Sequence, residues 1–118
     1  MNAENSKVES LKAQRLSSVC FVEDYIQLGF DRAGLNIINT STVQVQGAEH
    51  KGDDPGTASV LRSLIGHVVA EVRVQPEQRF VIEFQGGDAL WVSLDPADYT
   101  RGPEALTIQY ADKTAEVL

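Results

Sequence analysis

Between Leu64 and Leu94 the chain alternates apolar and polar positions in three successive runs that are separated by turn residues. This alternation is typical of strands that bury one face, and three such runs in succession predict an antiparallel β-meander. The first turn falls at 75–78, because Pro76 cannot donate a hydrogen bond to a ladder. The predicted core face carries the apolar alternate positions Val68, Ala70, Val72, Val74, Phe80, Ile82, Phe84, Leu90, Val92 and Leu94.

The register of the second hairpin follows from keeping apolar side chains on one face of neighbouring strands. A two-residue turn at Gly86-Gly87 splits the core, because it places Leu90 on the face opposite to Phe84. A three-residue turn that also includes Asp88 sets Phe84 opposite Leu90, and it supplies a glycine for the left-handed conformation that such turns need. The sequence therefore predicts the longer turn.

Other stretches predict further strands. Val19–Phe30 alternates along one long strand, and the turn residues Asp31–Gly34 return the chain as a hairpin. Thr42–Gln46 predicts a short edge strand, whereas 47–52 contains little that packs and predicts a surface loop. A last edge strand is expected around Leu106–Ile108.

One main helix is predicted between Asp54 and Ile65. Asp54 is a favoured cap, Pro55 suits the first helical position, and Gly66 supplies a left-handed stop. Apolar residues recur between them at helical spacing, so the helix should cover a sheet face. The sequence thus predicts an α+β fold of two layers: one mainly antiparallel sheet of about six strands, in the order β-hairpin, edge strand, helix and β-meander, with the helix packed on it.

The length of 118 residues suits a single domain with one core, and the contents of 42% hydrophobic and 23% charged residues are ordinary for a globular protein. We expect a partly ordered N-terminal segment over 1–18, containing a marginal helix over Lys7–Arg15. One α+β domain should follow over 19–110, and a loose C-terminal tail over 111–118.

The start of the chain lacks the basic and apolar parts of a signal peptide, and no apolar run approaches the roughly 18 residues of a membrane span. A cytoplasmic protein with no membrane partner is therefore expected. The single cysteine, Cys20, cannot form an internal disulfide, which agrees with a reducing compartment.

The net charge of −7 and the pI near 4.7 argue against nucleic acid as a partner. Binding a polyanion requires clustered Lys and Arg, and the ten basic residues here are scattered. The acidity suits a basic protein partner, but it also simply keeps a small protein soluble.

No pattern of catalytic, cofactor-binding or metal-binding residues stands out. His50 and His67 are the only histidines, and neither has a second ligand at metal spacing. His67 should begin a strand on its polar face, and Cys20 should lie on an apolar face, where a buried thiol is inert. The acids near strand and helix ends are interpreted as caps. No cofactor is predicted.

Apolar and aromatic side chains also fall on strand faces that should be exposed to water. Aromatic residues of this kind are enriched at the centres of interfaces. Two interpretations stay open: the helix or the N-terminal segment covers these side chains, or they contact a subunit or partner through Trp91 as an anchor. The candidate interaction surface consists of Trp91, Val81, Val69, Phe21 and Tyr25.

Three segments, FVEDYIQLGFD, LIGHVVAEVRV and SLDPADYTRGPEAL, together resemble a group of small, single-domain bacterial proteins that form an uncharacterised family, a domain of unknown function. The resemblance covers about residues 18 to 108. These segments are structural in character, so the resemblance implies a shared fold and brings no catalytic residue.

The first functional hypothesis is a non-catalytic protein-binding or assembly module of a bacterial cytoplasm, whose partner is a second copy in a homodimer or another protein. A more specific alternative is an immunity-type protein that neutralises a basic toxin. An alternative of another class is a small enzyme or ligand-binding protein with a pocket between helix and sheet, in which Asp24, Tyr25 and His67 are the polar candidates.

Overall fold

The computed structural model describes residues 7–23, 25–52, 54, 56–99 and 104–118. Within these ranges the chain forms ten strands and the seven-residue α-helix α1 (Thr57–Ser63), and Lys7 and Val8 are also helical. The strands are β1 (Leu16–Val22), β2 (Tyr25–Phe30), β3 (Ala33–Ile37), β4 (Ser41–Val45), β5 (Ala48–Lys51), β6 (Val69–Gln75), β7 (Arg79–Phe84), β8 (Ala89–Ser93), β9 (Leu106–Tyr110) and β10 (Ala115–Val117).

The strands form two antiparallel sheets of five strands, with the order β1-β2-β3-β9-β10 in the first sheet and β5-β4-β8-β7-β6 in the second. The general expectation of an antiparallel α+β fold with one helix is confirmed. The prediction of a single sheet of about six strands is wrong. The chain passes from the first sheet to the second between β3 and β4 and returns between β8 and β9, so the layer that covers the meander is another sheet. Inward side chains of both sheets form one buried core.

The meander is confirmed as β6, β7 and β8, which are consecutive antiparallel neighbours. Its second turn has three residues, but these are Gln85, Gly86 and Gly87. Both glycines have left-handed backbones, with φ of 99° and 101°. The backbone N–H of Phe84 donates to the carbonyl of Asp88 at 2.8 Å. The ladder between β7 and β8 is therefore shifted by two residues from the predicted register, which leaves the side chains of these two strands on their predicted faces.

A β-bulge in β6 changes which face Val69 occupies. The register shifts between Val69 and Glu71, where Ala70 is the extra residue. Because an inserted residue reverses the alternation, Val69 points into the core opposite Phe84, although the sequence pattern places it on the outer face.

The predicted long strand over Val19–Phe30 is wrong, because the chain turns back after Val22. Val22 pairs with Tyr25 across two residues, and this hairpin places Phe21 opposite Ile26 on the core side of the sheet. Cys20 consequently points outward and is exposed, which overturns its expected burial. Asp24 lies outside the described residues.

Both ends of the described chain are packed or paired. Lys7 and Val8 are helical and a 3-10 turn over Glu9–Leu11 follows them, where the sequence predicts a marginal helix over Lys7–Arg15. Val8 and Leu11 are fully buried. β5 forms where a loop was predicted, and β10 pairs with β9 where a loose tail was predicted. The ladders of these short strands depend on backbone hydrogen bonds, and neither strand has an apolar alternation long enough to be recognised in the sequence.

The helix is shorter than predicted, and it begins differently. Gly56 is its N-cap residue and provides no side-chain cap. The carboxylate of Asp54 instead accepts a hydrogen bond from the backbone N–H of Lys51, at 3.3 Å. Gly66 has a φ of 97°, which confirms the left-handed stop. Asp53 and Pro55 lie outside the described residues.

Candidate interaction surface

The structure separates the five residues of the predicted interaction surface. Val69 is in the core and is 1% exposed, and Val81 is only 4% exposed. Val81 and Trp91 are paired on the outer face of the second sheet. Phe21 is 47% exposed on the core side of the first sheet, and Tyr25 lies on the outer face of that sheet. These five residues therefore do not form one continuous patch.

Val81 is covered by its neighbours within the sheet. The guanidinium of Arg79 lies over the ring of Trp91, 5.1 Å from its centroid. Arg73 is opposite Val81 in the ladder and forms an ion pair with Glu83. The aliphatic parts of such long side chains shield apolar surface while their charged ends stay in water. The cross-strand neighbours Arg73 and Trp91 thus account for the burial of Val81.

The outer face of the first sheet has a composition that the sequence pattern did not reveal. Its outward positions follow from the ladders between β1, β2, β3, β9 and β10. None of them is charged, and we call this surface the uncharged face. It consists of Ser18, Cys20, Val22, Tyr25, Gln27, Gly29, Gly34, Asn36, Thr107, Gln109, Ala115 and Val117.

Much of the uncharged face is exposed to solvent. Cys20, Val22, Gln27, Gln109, Ala115 and Val117 are all exposed. Gly29 allows close packing at one edge, because the hydroxyl oxygen of Ser18 lies only 2.3 Å from the place where a Cβ of residue 29 would be. In the centre the amide of Asn36 donates to the hydroxyl of Thr107, at 3.3 Å.

The outer face of the second sheet is the internal comparison, since it has the same number of strands in the same protein. It alternates acids and bases among a few apolar and polar positions. Its charged outward residues are Glu49, Lys51, Glu71, Arg73, Arg79 and Glu83. The absence of charge is therefore a property of one face and not of the chain, which carries 17 acidic and 10 basic residues.

The uncharged face was missed because a continuous strand over Val19–Phe30 puts Cys20 and Val22 on the same side as Ile26. A two-residue turn after Val22 reverses this relation. The signal that marks the turn is the adjacent pair Glu23-Asp24 between two apolar runs.

Two residues of the enzyme hypothesis, Tyr25 and His67, are not brought together, and Asp24 lies outside the described residues. The carbonyl of His67 accepts from the N–H of Leu16 at one end of β1, whereas Tyr25 pairs with Val22 at the other end. At about 3.3 Å per residue, these two positions are about 20 Å apart along the strand. The Nδ1 atom of His67 is 3.9 Å from a carboxylate oxygen of Asp88.

A polar cluster holds the turn between β9 and β10 against the N-terminal segment. The hydroxyl of Tyr110 donates to Glu116 at 2.6 Å, and Lys7 forms an ion pair with Asp112 at 3.2 Å. Burial, together with the hydrogen bond to Glu116, raises the pKa of Tyr110 above its ordinary value. Hydrogen bonds from the side chain and backbone of Thr114 lower the pKa of Asp112 to about 2.

Within the described ranges, no group of three or more His, Cys, Asp and Glu side chains is arranged to hold a metal ion. No helix in the described part of the chain has the length and apolar character to cross a membrane. Comparison with known proteins finds no match among protein-family models, curated proteins or solved structures. The resemblance to small bacterial proteins therefore stays a prediction.

Proposed function

We propose that this protein is a non-catalytic protein-binding or assembly module of a bacterial cytoplasm, and that the uncharged face is its binding surface. The observation that carries the proposal is that every outward position of a five-stranded sheet is uncharged in a chain with a net charge of −7. The centres of protein interfaces are depleted in charged residues, whereas a surface that stays in water is usually charged.

The chemistry of the uncharged face indicates what it would bind. Its amides and hydroxyls donate and accept hydrogen bonds without the desolvation cost of a full charge. Val22, Tyr25 and Val117 add apolar area along two sides. A neutral protein surface is the complementary partner. The face offers no carboxylate to a basic toxin, so the proposal does not extend to the immunity-type role.

Site-specific photo-crosslinking in the bacterium that makes the protein tests this proposal. A photoreactive amino acid replaces Gln27 on the uncharged face or, as the matched control, Gln44 on the outer face of the second sheet. Both are outward glutamines on the strand next to a sheet edge. We expect a discrete protein adduct from position 27 and none from position 44. Equal adducts from both positions, or none from position 27, would contradict the proposal.

A charge placed in the middle of the uncharged face provides a second test of the proposal. Asn36→Lys should abolish the adduct formed from position 27, because the lysine must lose its hydration in the interface. Thr42→Lys makes the equivalent change on the outer face of the second sheet and should leave the adduct intact. Circular dichroism and urea unfolding verify that both variants are folded. An adduct that survives Asn36→Lys would rule out binding through this face.

A further inference from the structure

The edge strand β1 has an open side along most of its length. At its start it is held by the chain before β6, because Leu16 N donates to the His67 carbonyl at 3.0 Å and Gly66 N donates to the Leu16 carbonyl at 2.7 Å. From Ser17 to Val22, no strand among the described residues pairs with this side of β1. These residues therefore present an unpaired edge.

The hairpin decides which backbone groups point to the open side. Residues that flank a two-residue turn form a hydrogen-bonded pair, so Val22 bonds to Tyr25. Hydrogen-bonded and non-hydrogen-bonded pairs alternate along an antiparallel ladder. The N–H and C=O groups of Val22 and Cys20 therefore point towards β2, and those of Val19 and Phe21 point to the open side.

β1 lacks the features that normally protect an edge from pairing. Charged side chains, prolines and short length are the usual protections. β5 carries Glu49 and Lys51, β6 carries Glu71 and Arg73, and β10 has only three residues. β1 has seven residues without a charge or proline, and the side chain of its Phe21 is 47% exposed.

We propose that two copies of this protein pair through the open edges of β1, antiparallel about a two-fold axis that passes beside Cys20. The register follows from the backbone groups that are free. Val19 of one copy forms a hydrogen-bonded pair with Phe21 of the second copy, and the reverse pair is identical. Cys20 then faces Cys20 of the second copy, and Ser18 faces Val22.

Three features of the edge strand favour this register. It overlaps the whole free segment from Ser17 to Val22, and it uses the free N–H and C=O groups of both copies. It also places each exposed Phe21 side chain beside the half-buried Val19 of the second copy, since both lie on the core side of the sheet. The first sheets of the two copies then form one continuous sheet of ten strands.

The charge of the protein favours this edge as the contact between copies. Two chains that each carry −7 repel one another, so their contact must avoid acidic side chains. β1 has no charged side chain, and the identical edge of the second copy has none either. Pairing two such edges buries less than about 1,200 Å² in total, the range of reversible interfaces. A monomer–dimer equilibrium is expected.

The dimer extends the proposed binding surface, and its biological role rests on the proposed function. Cys20 and Val22 lie at the border of the uncharged face, so edge pairing joins the two faces into one surface of twice the width. A partner with two-fold symmetry, or a repeated partner, could then be held at two sites at once.

Sedimentation velocity on the full chain tests the pairing. The weight-average mass should rise towards that of a dimer between about 1 and 500 µM, as expected for a weak interface. Cys20→Lys sets two like charges opposite each other and should raise the dissociation constant at least tenfold. Ala115→Lys, an outward exposed position on the other edge strand of the same sheet, is the matched control and should leave the constant unchanged. A wild-type monomer throughout, or equal effects of both variants, would overturn the proposal.

Thiol crosslinking tests the register. The wild-type protein should form a covalent dimer through Cys20 with a short bismaleimide. Starting from Cys20→Ala, chains with Ser18→Cys and chains with Val22→Cys should crosslink when mixed, and poorly when either is alone. Efficient crosslinking of each variant with itself would exclude this register. Circular dichroism confirms that every variant is folded.

Phe21→Ser separates this inference from the proposed function, because it alters the edge contact and leaves the uncharged face intact. Loss of the dimer with a persistent photo-adduct at position 27 means that edge pairing occurs and that partner binding is independent of it. A dimer that is unaffected by Phe21→Ser overturns edge pairing, whatever the photo-adduct shows.

Discussion

At the scale of single residues, Tyr110 is the clearest case in which an environment changes chemistry. The phenol is almost fully enclosed, and its hydroxyl donates to a carboxylate that would repel a phenolate. Both effects favour the neutral form in the folded state. Because the folded pKa lies above the unfolded value of about 10, this contribution to stability is fully present below pH 10 and decreases as the pH rises above it.

Tyr110→Phe tests this assignment. We expect a loss of about 1 kcal/mol in the free energy of unfolding at pH 7, because the hydrogen bond to Glu116 is removed. Between pH 9.5 and about 11, the variant should lose less stability than the wild type, since residue 110 no longer ionises on unfolding. Urea unfolding followed by the fluorescence of Trp91, the single tryptophan, measures both. A pH dependence for Tyr110→Phe that equals that of the wild type would contradict the assignment.

At the scale of elements, the N-terminal segment shows why polar composition is a poor guide to order. Only a few apolar anchors occur before β1, and a thin apolar stripe predicts a marginal helix. The two anchors Val8 and Leu11 nevertheless reach the core, where both side chains are fully buried. The segment contacts β6 and contributes to the central cluster.

Leu11→Ala should therefore reduce the free energy of unfolding by about 2–5 kcal/mol, the range for a buried leucine. Ser10→Ala, at the exposed neighbouring position, should change it by less than about 0.5 kcal/mol. Urea denaturation of the two variants makes the comparison. If Leu11→Ala were as mild as Ser10→Ala, the segment would be frayed, as its sequence predicts.

The strands also show which parts of the fold could be predicted from the sequence and which could not. The meander was predictable because Phe80, Ile82, Leu90 and Val92 recur at alternate positions in runs that are bounded by turn residues. Two irregularities were not: the extra residue at Ala70 and the turn after Val22 each reverse an alternation without changing composition. Each reversal moved a residue of the predicted surface to another face, so the candidate site was harder to predict than the strands that form it.

At the scale of the whole molecule, the distribution of charge predicts how the proposed dimer responds to salt. Repulsion between two copies of net charge −7 opposes association, and added ions screen it over a Debye length of about 10 Å at 0.1 M. The dissociation constant should therefore decrease between 20 and 200 mM NaCl. Sedimentation velocity at several salt concentrations measures this. An increase with salt would instead indicate that pairs of opposite charge hold the copies together.

The route of the chain between the two sheets has a practical consequence. The first sheet takes β1, β2 and β3 from one side of Gly66 and β9 and β10 from the other, and the second sheet is divided in the same way. Two polypeptides divided at this glycine would each lack part of both layers. Each fragment should therefore be unfolded when it is made alone, and the two should reassemble when they are made together. Co-purification of differently tagged fragments would reveal this reassembly. The protein thus offers a split pair for reporting proximity inside cells.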